Sequence, residues 1–341
     1  MNTAFHTVVH RRPIRGAAFP FAFILAHLLF VLLACTSEPG TDASTTDQPT
    51  HAERQKAVDD TIAANADCVA LSDFYWEIGD AKGRIANGRK GTLFDADTAM
   101  AIASASKLVF GAYVVERFSN DLSKADFAAM TMRSGYTTLS HVSCLTAATV
   151  QDCLDTGNNG DLTPSEVGFF HYDSGHFQHY AVELGLGSDD NAALASRIKA
   201  TLGPELAFAY SSPQLAAGVY TTASTYAAFL RKILSGTLAI LHHLGENAVC
   251  TLPQSCPDKA TYSPSPETWH YSWGHWVEDD SAAENDGAFS SPGAFGFYPW
   301  IDAEKQYYGL LARYSLQSKA YYTSALCGRR LRKAFITGVA Q

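Results

Sequence analysis

Strand-like segments occupy both ends of this chain, and helix-like ones fill its middle. Cys68–Gly79 and Arg84–Gly88 read as strands joined by a turn around Asp80-Ala81-Lys82-Gly83. Toward the other end, Trp269–Glu278, Phe295–Asp302 and Gln306–Tyr314 are rich in aromatic and β-branched residues, which suit a pleated, half-buried surface. Residues 119–260 carry helical patterns instead, the clearest over Thr222–Ser235, where Gly236 stops it. A basic helix over Ser324–Ile336 closes the chain. The arrangement suggests one sheet built from both termini, with flanking helices and a helical insertion, an α+β fold. At 341 residues and 47% hydrophobic, the chain is long enough for a large core or two subdomains.

One stretch within this plan carries chemistry. Thr98–Phe118, TAMAIASASKLVFGAYVVERF, reads as a buried helix with Ser104 near its start and Lys107 three residues on. Positions i and i+3 share a helix face, so hydroxyl and amine can meet. Serine alone is a poor nucleophile, and an adjacent amine kept neutral by burial can accept its proton. The same spacing recurs at Ser196 and Lys199, in what reads as an ordinary solvated helix. Ser104 differs in its neighbours: Met100, Ile102, Val109, Phe110, Val114 and Val115 surround two polar groups with apolar ones. Burying a lysine costs several kcal/mol unless it is paired, so its presence there asks for a reason.

IASASKLVFGAYVVERF resembles the nucleophile helix of the serine β-lactamase and penicillin-binding-protein superfamily, closest to class C β-lactamases and related esterases. The resemblance covers most of the chain after residue 51. It implies an antiparallel sheet built from both chain ends, with residues 51–118 and 265–341 forming the α/β part and 119–264 the helical part of a 51–341 domain. It also implies a tyrosine proton shuttle, which places that role on Tyr172 in Tyr172-Asp173-Ser174, working with Lys107. An unperturbed phenol stays protonated at neutral pH, so this expects nearby cations to lower the Tyr172 pKa. Ser174 stands where the family has an asparagine that holds the substrate amide. His176 is a candidate hydrogen bonder facing the site, while His171, His179 and Asp173 read as loop or core residues.

The third motif of the family, a strand with K-T-G or H-x-G, matches Ser291-Pro292-Gly293. By that match the N–H groups of Ser104 and Ala294 form the oxyanion hole, and Gly293 lets the backbone approach the substrate. Ser291 replaces the family's lysine or histidine, and Pro292 its threonine. These offer no charge for a carboxylate, and a charge-assisted contact is roughly twice a neutral one. The expected substrate is therefore a neutral ester or amide, with Arg313 the candidate replacement cation. Trp269, Trp273, Trp276, Tyr298 and Trp300 are candidates for an apolar pocket or for sheet core.

The N-terminus reads as an address. A basic segment, His10–Arg15, precedes the apolar run Ala17–Ala34, as in a secretory signal. Leu32-Leu33-Ala34-Cys35 resembles a bacterial lipobox, which makes residues 1–35 the signal and Cys35 the lipidated residue. Thr36 replaces the aspartate that marks inner-membrane retention, so the resemblance implies a cell-envelope lipoprotein of the outer membrane. Residues 36–50 have no large apolar residue and read as a disordered tether. Export suits the cysteines. Setting Cys35 aside leaves Cys68, Cys144, Cys153, Cys250, Cys256 and Cys327, which allow about 15 connectivities. Cys144 with Cys153 and Cys250 with Cys256 are close in sequence. Cys68 with Cys327 then remains, and that bond would tie the first strand to the last helix.

Other function classes fare worse. A net charge of −9 without a basic stripe argues against a nucleic-acid partner. Asp155–Glu166 resembles an EF-hand loop through Asp155, Asn159, Gly160, Leu162 and Glu166, but Gly157 removes a ligand and no amphipathic helices flank it. No cysteine or histidine spacing matches a zinc site, and the chemistry calls for no cofactor. The expected function is a lipid-anchored serine hydrolase with a small ester, amide or peptide-like substrate. The alternatives are a β-lactamase or D-alanyl-D-alanine carboxypeptidase, and a catalytically silent binding lipoprotein on the same fold.

Overall fold

Helix α1 (His51–Ala64) begins at a reciprocal cap: the Thr50 hydroxyl accepts from the Glu53 N–H, and the Glu53 carboxylate takes the Thr50 N–H. The computed structural model describes residues 48–118, 121–283 and 285–341. The expected signal, the lipobox at Cys35 and most of the tether lie outside the described residues. After α1 comes a short α2 (Ala66–Val69), capped by Asn65, whose side chain accepts from the Asp67 N–H at 3.0 Å. That cap draws Cys68 into a helix, so the first strand starts later than its apolar run suggests. Strands β1 (Phe74–Asp80) and β2 (Gly83–Lys90) form a hairpin whose turn is held by Asp80 Oδ1, which accepts from Lys82 and Gly83.

The middle of the chain is mostly helical. It contains β3 (Met100–Ala101), α3 (Ser106–Phe118), α4 (Lys124–Met130), α5 (Val150–Leu154), β4 (Phe170–His171), α6 (Gly175–Glu183) and α7 (Asn191–Leu202). Then come β5 (Ala209–Tyr210), β6 (Val219–Thr221), α8 (Ala223–Leu234), α9 (Ile240–His243), β7 (Val249–Cys250) and β8 (Ala260–Tyr262). Thr222 caps α8 through the Thr225 N–H, close to the expected start. The second serine–lysine pair lies on α7, where Ser196 is exposed.

The chain closes with β9 (His270–Ser272), β10 (His275–Glu278), β11 (Ala288–Ser290), β12 (Tyr298–Ile301), β13 (Tyr307–Ala312) and α10 (Ala320–Thr337). Eight strands form one sheet in the order β2-β1-β13-β12-β11-β10-β9-β7, and every pairing is antiparallel. The first strand thus lies beside the last, with Ile78 opposite Gly309. Trp269–Glu278 is two strands rather than one, because the chain reverses at Gly274 with φ 82°. A Cβ on Gly274 would sit 2.4 Å from the Lys107 carbonyl, and one on Gly111 would sit 2.2 Å from the Trp273 carbonyl. Two glycines therefore let the β9–β10 turn press directly on α3. That helix is buried from Ser106 through Val115, as a helix apolar on all sides must be.

Helix α10 is fastened to the sheet by charge. Arg332 is fully buried and pairs with Glu278 at 3.0 Å and with Asp286 at 2.7 Å, while the Ser290 and Tyr298 hydroxyls donate to Glu278. Disulfides join Cys68 to Cys327, Cys144 to Cys153 and Cys250 to Cys256, so the first of them ties α2, not β1, to α10. Residues 48–341 pack as one unit. Among the described residues, no helix is long and apolar enough to cross a membrane. The EF-hand-like loop spends its ligands internally: Asn159 donates to the Cys153 carbonyl and accepts from the Ser140 N–H, and Glu166 accepts from Thr261.

Candidate active site

Ser104 is aimed by a change of backbone direction, not by a helix that starts before it. Met100 and Ala101 pair with Thr221 and Tyr220, and the Ile102 N–H continues that ladder to the Val219 carbonyl. Ala103 then takes φ 45°, a left-handed conformation that costs a non-glycine residue roughly 1–2 kcal/mol. A single 3₁₀ turn over Ala103–Ala105 follows, and α3 begins only at Ser106. Ser106 clamps the turn, donating to the Ala103 carbonyl at 2.6 Å and accepting from the Val219 N–H at 3.2 Å. The expected helix from Thr98 is thus a strand, a strained residue and a turn.

Lys107 lies on the first turn of α3 with its Nζ 2.9 Å from Ser104 Oγ and 3.2 Å from the Ala216 carbonyl. The side chain is 1% exposed. Burial pulls its pKa from 10.5 down to about 7, with the Asp173 charge opposing weakly. Tyr172 sits beside the pair, its ring centroid 5.0 Å from Lys107 Nζ. Its backbone N–H donates to the Tyr262 carbonyl at 3.1 Å, and its ring stacks on Trp276 at 5.2 Å. Burial pushes the Tyr172 phenol up to about 12, against the smaller lowering effect of its hydrogen bond with Ser104. Desolvation dominates the phenol, and the same burial takes much of the charge from the cation expected to lower it. The phenol keeps its proton.

The Ser291-Pro292-Gly293 segment supports the serine from behind. Ser291 Oγ donates to the Ser104 carbonyl at 3.0 Å, and a Cβ on Gly293 would sit 2.1 Å from the Ile102 carbonyl. The close approach that needs a glycine is therefore to the loop carrying Ser104 and not to a substrate. Ala294 reaches the cavity, and neither its N–H nor that of Ser104 finds an acceptor among the described residues. The cavity beside Ser104 measures ≈140 Å³, and Tyr172, Trp269, Trp276, Pro292 and Ala294 form much of its wall. Among the described residues, no charged side chain lines it.

Several expected site residues are occupied elsewhere. His176 is fully buried, with Nδ1 2.7 Å from Ser134 Oγ and Nε2 2.9 Å from the His171 carbonyl, and burial lowers its pKa to about 3. It is a neutral structural histidine that does not face the cavity. Ser174 is buried too, its Oγ 3.3 Å from His141 Nε2. Arg313 donates to Ser324, Thr323 and the Ala320 carbonyl, so it fixes α10 against β13 and supplies no charge to the cavity. Of the five aromatic candidates, Trp269 and Trp276 line the cavity, while Tyr298 and Trp300 contact Arg332 and Trp273 packs on Phe127. His141 went unnoticed in the sequence. It bonds Gln214 and Ser174, and burial lowers its pKa, with Lys107 adding to the effect. Nothing in the run Thr137-Thr138-Leu139-Ser140-His141 signals that placement.

A sheet built from both termini with a helical insertion is the architecture of β-lactamase and penicillin-binding-protein structures, and comparison with solved structures shows that fold here. A Bacteroides dorei protein assigned as a β-lactamase superposes with TM-score 0.61 at 18% identity, covering 82% of this chain and 98% of its own. FmtA from Staphylococcus aureus gives TM-score 0.59 at 12% identity, over 84% of this chain and 87% of its own. The D-amino acid amidase of Ochrobactrum anthropi gives 0.56 at 13%, over 82% and 99%. No protein-family model and no curated protein matches the sequence.

Proposed function

We propose that this chain is a serine hydrolase that works through an acyl-enzyme on a neutral ester or amide. The observation that carries the reading is Lys107 Nζ at 2.9 Å from Ser104 Oγ, desolvated so that its pKa falls to about 7. Near neutral pH a large fraction of this amine is unprotonated and can take the Ser104 proton as Oγ attacks the carbonyl carbon. The N–H groups of Ser104 and Ala294 hold the resulting oxyanion. When the tetrahedral intermediate collapses, Tyr172 gives its proton to the leaving oxygen or nitrogen, and the Lys107 ammonium restores it. Water then attacks the acyl-enzyme, gives one proton to the Lys107 amine, and the acid leaves as Ser104 recovers its own.

The cavity supports a neutral substrate. Without a cation in its wall, and with Ser291 Oγ and Arg313 already hydrogen-bonded elsewhere, a carboxylate beside the reacting carbonyl has no partner. That disfavours penicillins and D-alanyl peptides. A silent binding protein is disfavoured by the serine–lysine geometry, since burying an amine against a hydroxyl serves no binding purpose. The reading extends to location: lipid attached at Cys35 would hold the enzyme in the bacterial envelope, supported by the lipobox and by three disulfides suited to an oxidising compartment.

The test compares a short chromogenic ester with a chromogenic cephalosporin, using the purified protein and its Ser104→Ala variant. Ester turnover that the variant loses, with the cephalosporin untouched, is the expected result. Undiminished ester turnover by the variant would overturn the mechanism, and serine-dependent cephalosporin turnover would replace the neutral-substrate reading with a β-lactamase.

A further inference from the structure

The reaction cavity is too small to enclose a substrate by itself. Its ≈140 Å³ falls below the roughly 300–1,000 Å³ of typical small-molecule sites. It does not stand alone, however. A groove of ≈570 Å³ adjoins it, and the two have Pro264, Ser265 and Tyr321 in common. The Tyr321 hydroxyl donates to the Pro264 carbonyl at 2.9 Å, so this shared rim is a fixed bridge and not a loose side chain.

The groove is also built, not incidental. One wall contains Leu252, Pro253 and Gln254, held in the loop that Cys250 and Cys256 close. Strand β8 lines the groove as well, and Tyr262 there leaves 49% of its surface exposed. The Tyr262 carbonyl accepts from the Tyr172 N–H, so the groove wall and the proton-donating residue are hydrogen-bonded neighbours. Tyrosines, prolines and neutral polar groups dominate the lining. Lys319 is its one charged residue and makes no ion pair among the described residues. Such walls favour the faces of planar rings, and the unpaired Lys319 ammonium among them sets its repulsion against any cation that the tyrosine faces could attract.

We propose that this groove is a second substrate subsite, selecting an elongated ester or amide. The group next to the reacting carbonyl occupies the cavity at Ser104, and a ring-bearing, non-cationic distal arm lies along the groove against Tyr262. The inference rests on the acyl-enzyme reading for its chemistry, but its binding half stands apart from it.

The test uses the full chain with three esters that share one reacting group: a short one, one extended by a flexible arm to a phenyl ring, and one whose arm ends in an ammonium. The set is made twice, with the arm on the acyl side or on the alcohol side. In one of the two sets the phenyl-ended ester should exceed the short one at least tenfold in kcat/KM, mostly through KM, and the ammonium-ended ester should lose that advantage. Tyr262→Ala should lower the long-to-short ratio by about tenfold. A ratio near one in both sets, or a ratio that Tyr262→Ala leaves alone, overturns the subsite. Calorimetry of the phenyl-ended amide with the Ser104→Ala protein separates the two claims. Binding there that Tyr262→Ala weakens tenfold, without turnover by the wild type, keeps the subsite and sinks the hydrolase. Turnover of short esters with no elongated advantage does the reverse.

Discussion

Replacing Lys107 with methionine should make the protein more stable and nearly inactive. The lysine is held in a site that pulls its pKa from 10.5 to about 7, and each unit is worth roughly 1.4 kcal/mol. The wild type therefore carries a penalty of roughly 5 kcal/mol at pH 7. Methionine fills a similar volume without the charge. Against this, the Ala216 carbonyl loses a donor and the Ser104 hydroxyl a partner, together costing about 1–3 kcal/mol. A net gain of about 2–4 kcal/mol is expected, or about 3–7 °C in Tm. The sign with pH follows from linkage. The folded pKa lies below the unfolded one, so the wild-type penalty is full below pH 7. It fades as pH rises toward 10.5, where the unfolded lysine also loses its proton. Urea unfolding of both proteins at pH 7, 8.5 and 10 reads this directly: the variant's advantage should shrink with rising pH. A variant less stable than wild type at pH 7, or a gap that does not change with pH, would refute the desolvated-lysine argument. Ester turnover should fall by about 10²–10⁴, the range for losing a general base.

Three further outcomes follow from the same geometry. The pH profile of kcat/KM should rise through a single ionisation near pH 7 as Lys107 deprotonates, and stay level to pH 10, because Tyr172 holds its proton to about 12. A descending limb below pH 9 would remove Tyr172 as the proton donor. Ser291→Ala should lower kcat several-fold with KM little changed, since its hydroxyl holds the Ser104 backbone and touches no substrate. A KM effect alone would return Ser291 to the substrate. Arg332→Ala should destabilise the fold by about 3–5 kcal/mol in urea unfolding, because the fully buried Glu278 would keep only its longer 3.4 Å pairing with Arg329 and Asp286 would lose its Arg332 partner.

The large-scale plan was legible because it depends on residue pattern. Strand signals at both chain ends become neighbours β1 and β13, and the six cysteines pair with one another, in one of the connectivities that their spacing left open. Ser104 and Lys107 meet because i and i+3 share a face even when the first residue lies in a 3₁₀ turn. What the sequence concealed were consequences of tertiary hydrogen bonding. His176 and Ser174 look available in a polar loop, yet both are buried and already hydrogen-bonded within the protein. Gly293 carries a real steric requirement, but the partner is the Ile102 carbonyl. Trp269–Glu278 has continuous strand propensity, and only the contact between Gly274 and α3 shows why it must fold back. Tyr172 was expected to be acidified by a cation, and the desolvation that neutralises Lys107 raises the phenol as well.

The central claim is that Ser104 becomes acylated. Intact-protein and peptide mass spectrometry after brief exposure to a slowly hydrolysed neutral ester tests it most directly. The account predicts one acyl group per chain, carried by the peptide containing Ser104, present at pH 8, much reduced at pH 5, and absent from the Ser104→Ala protein. An unmodified chain that still turns the ester over, or an acyl group on any other residue, would contradict it.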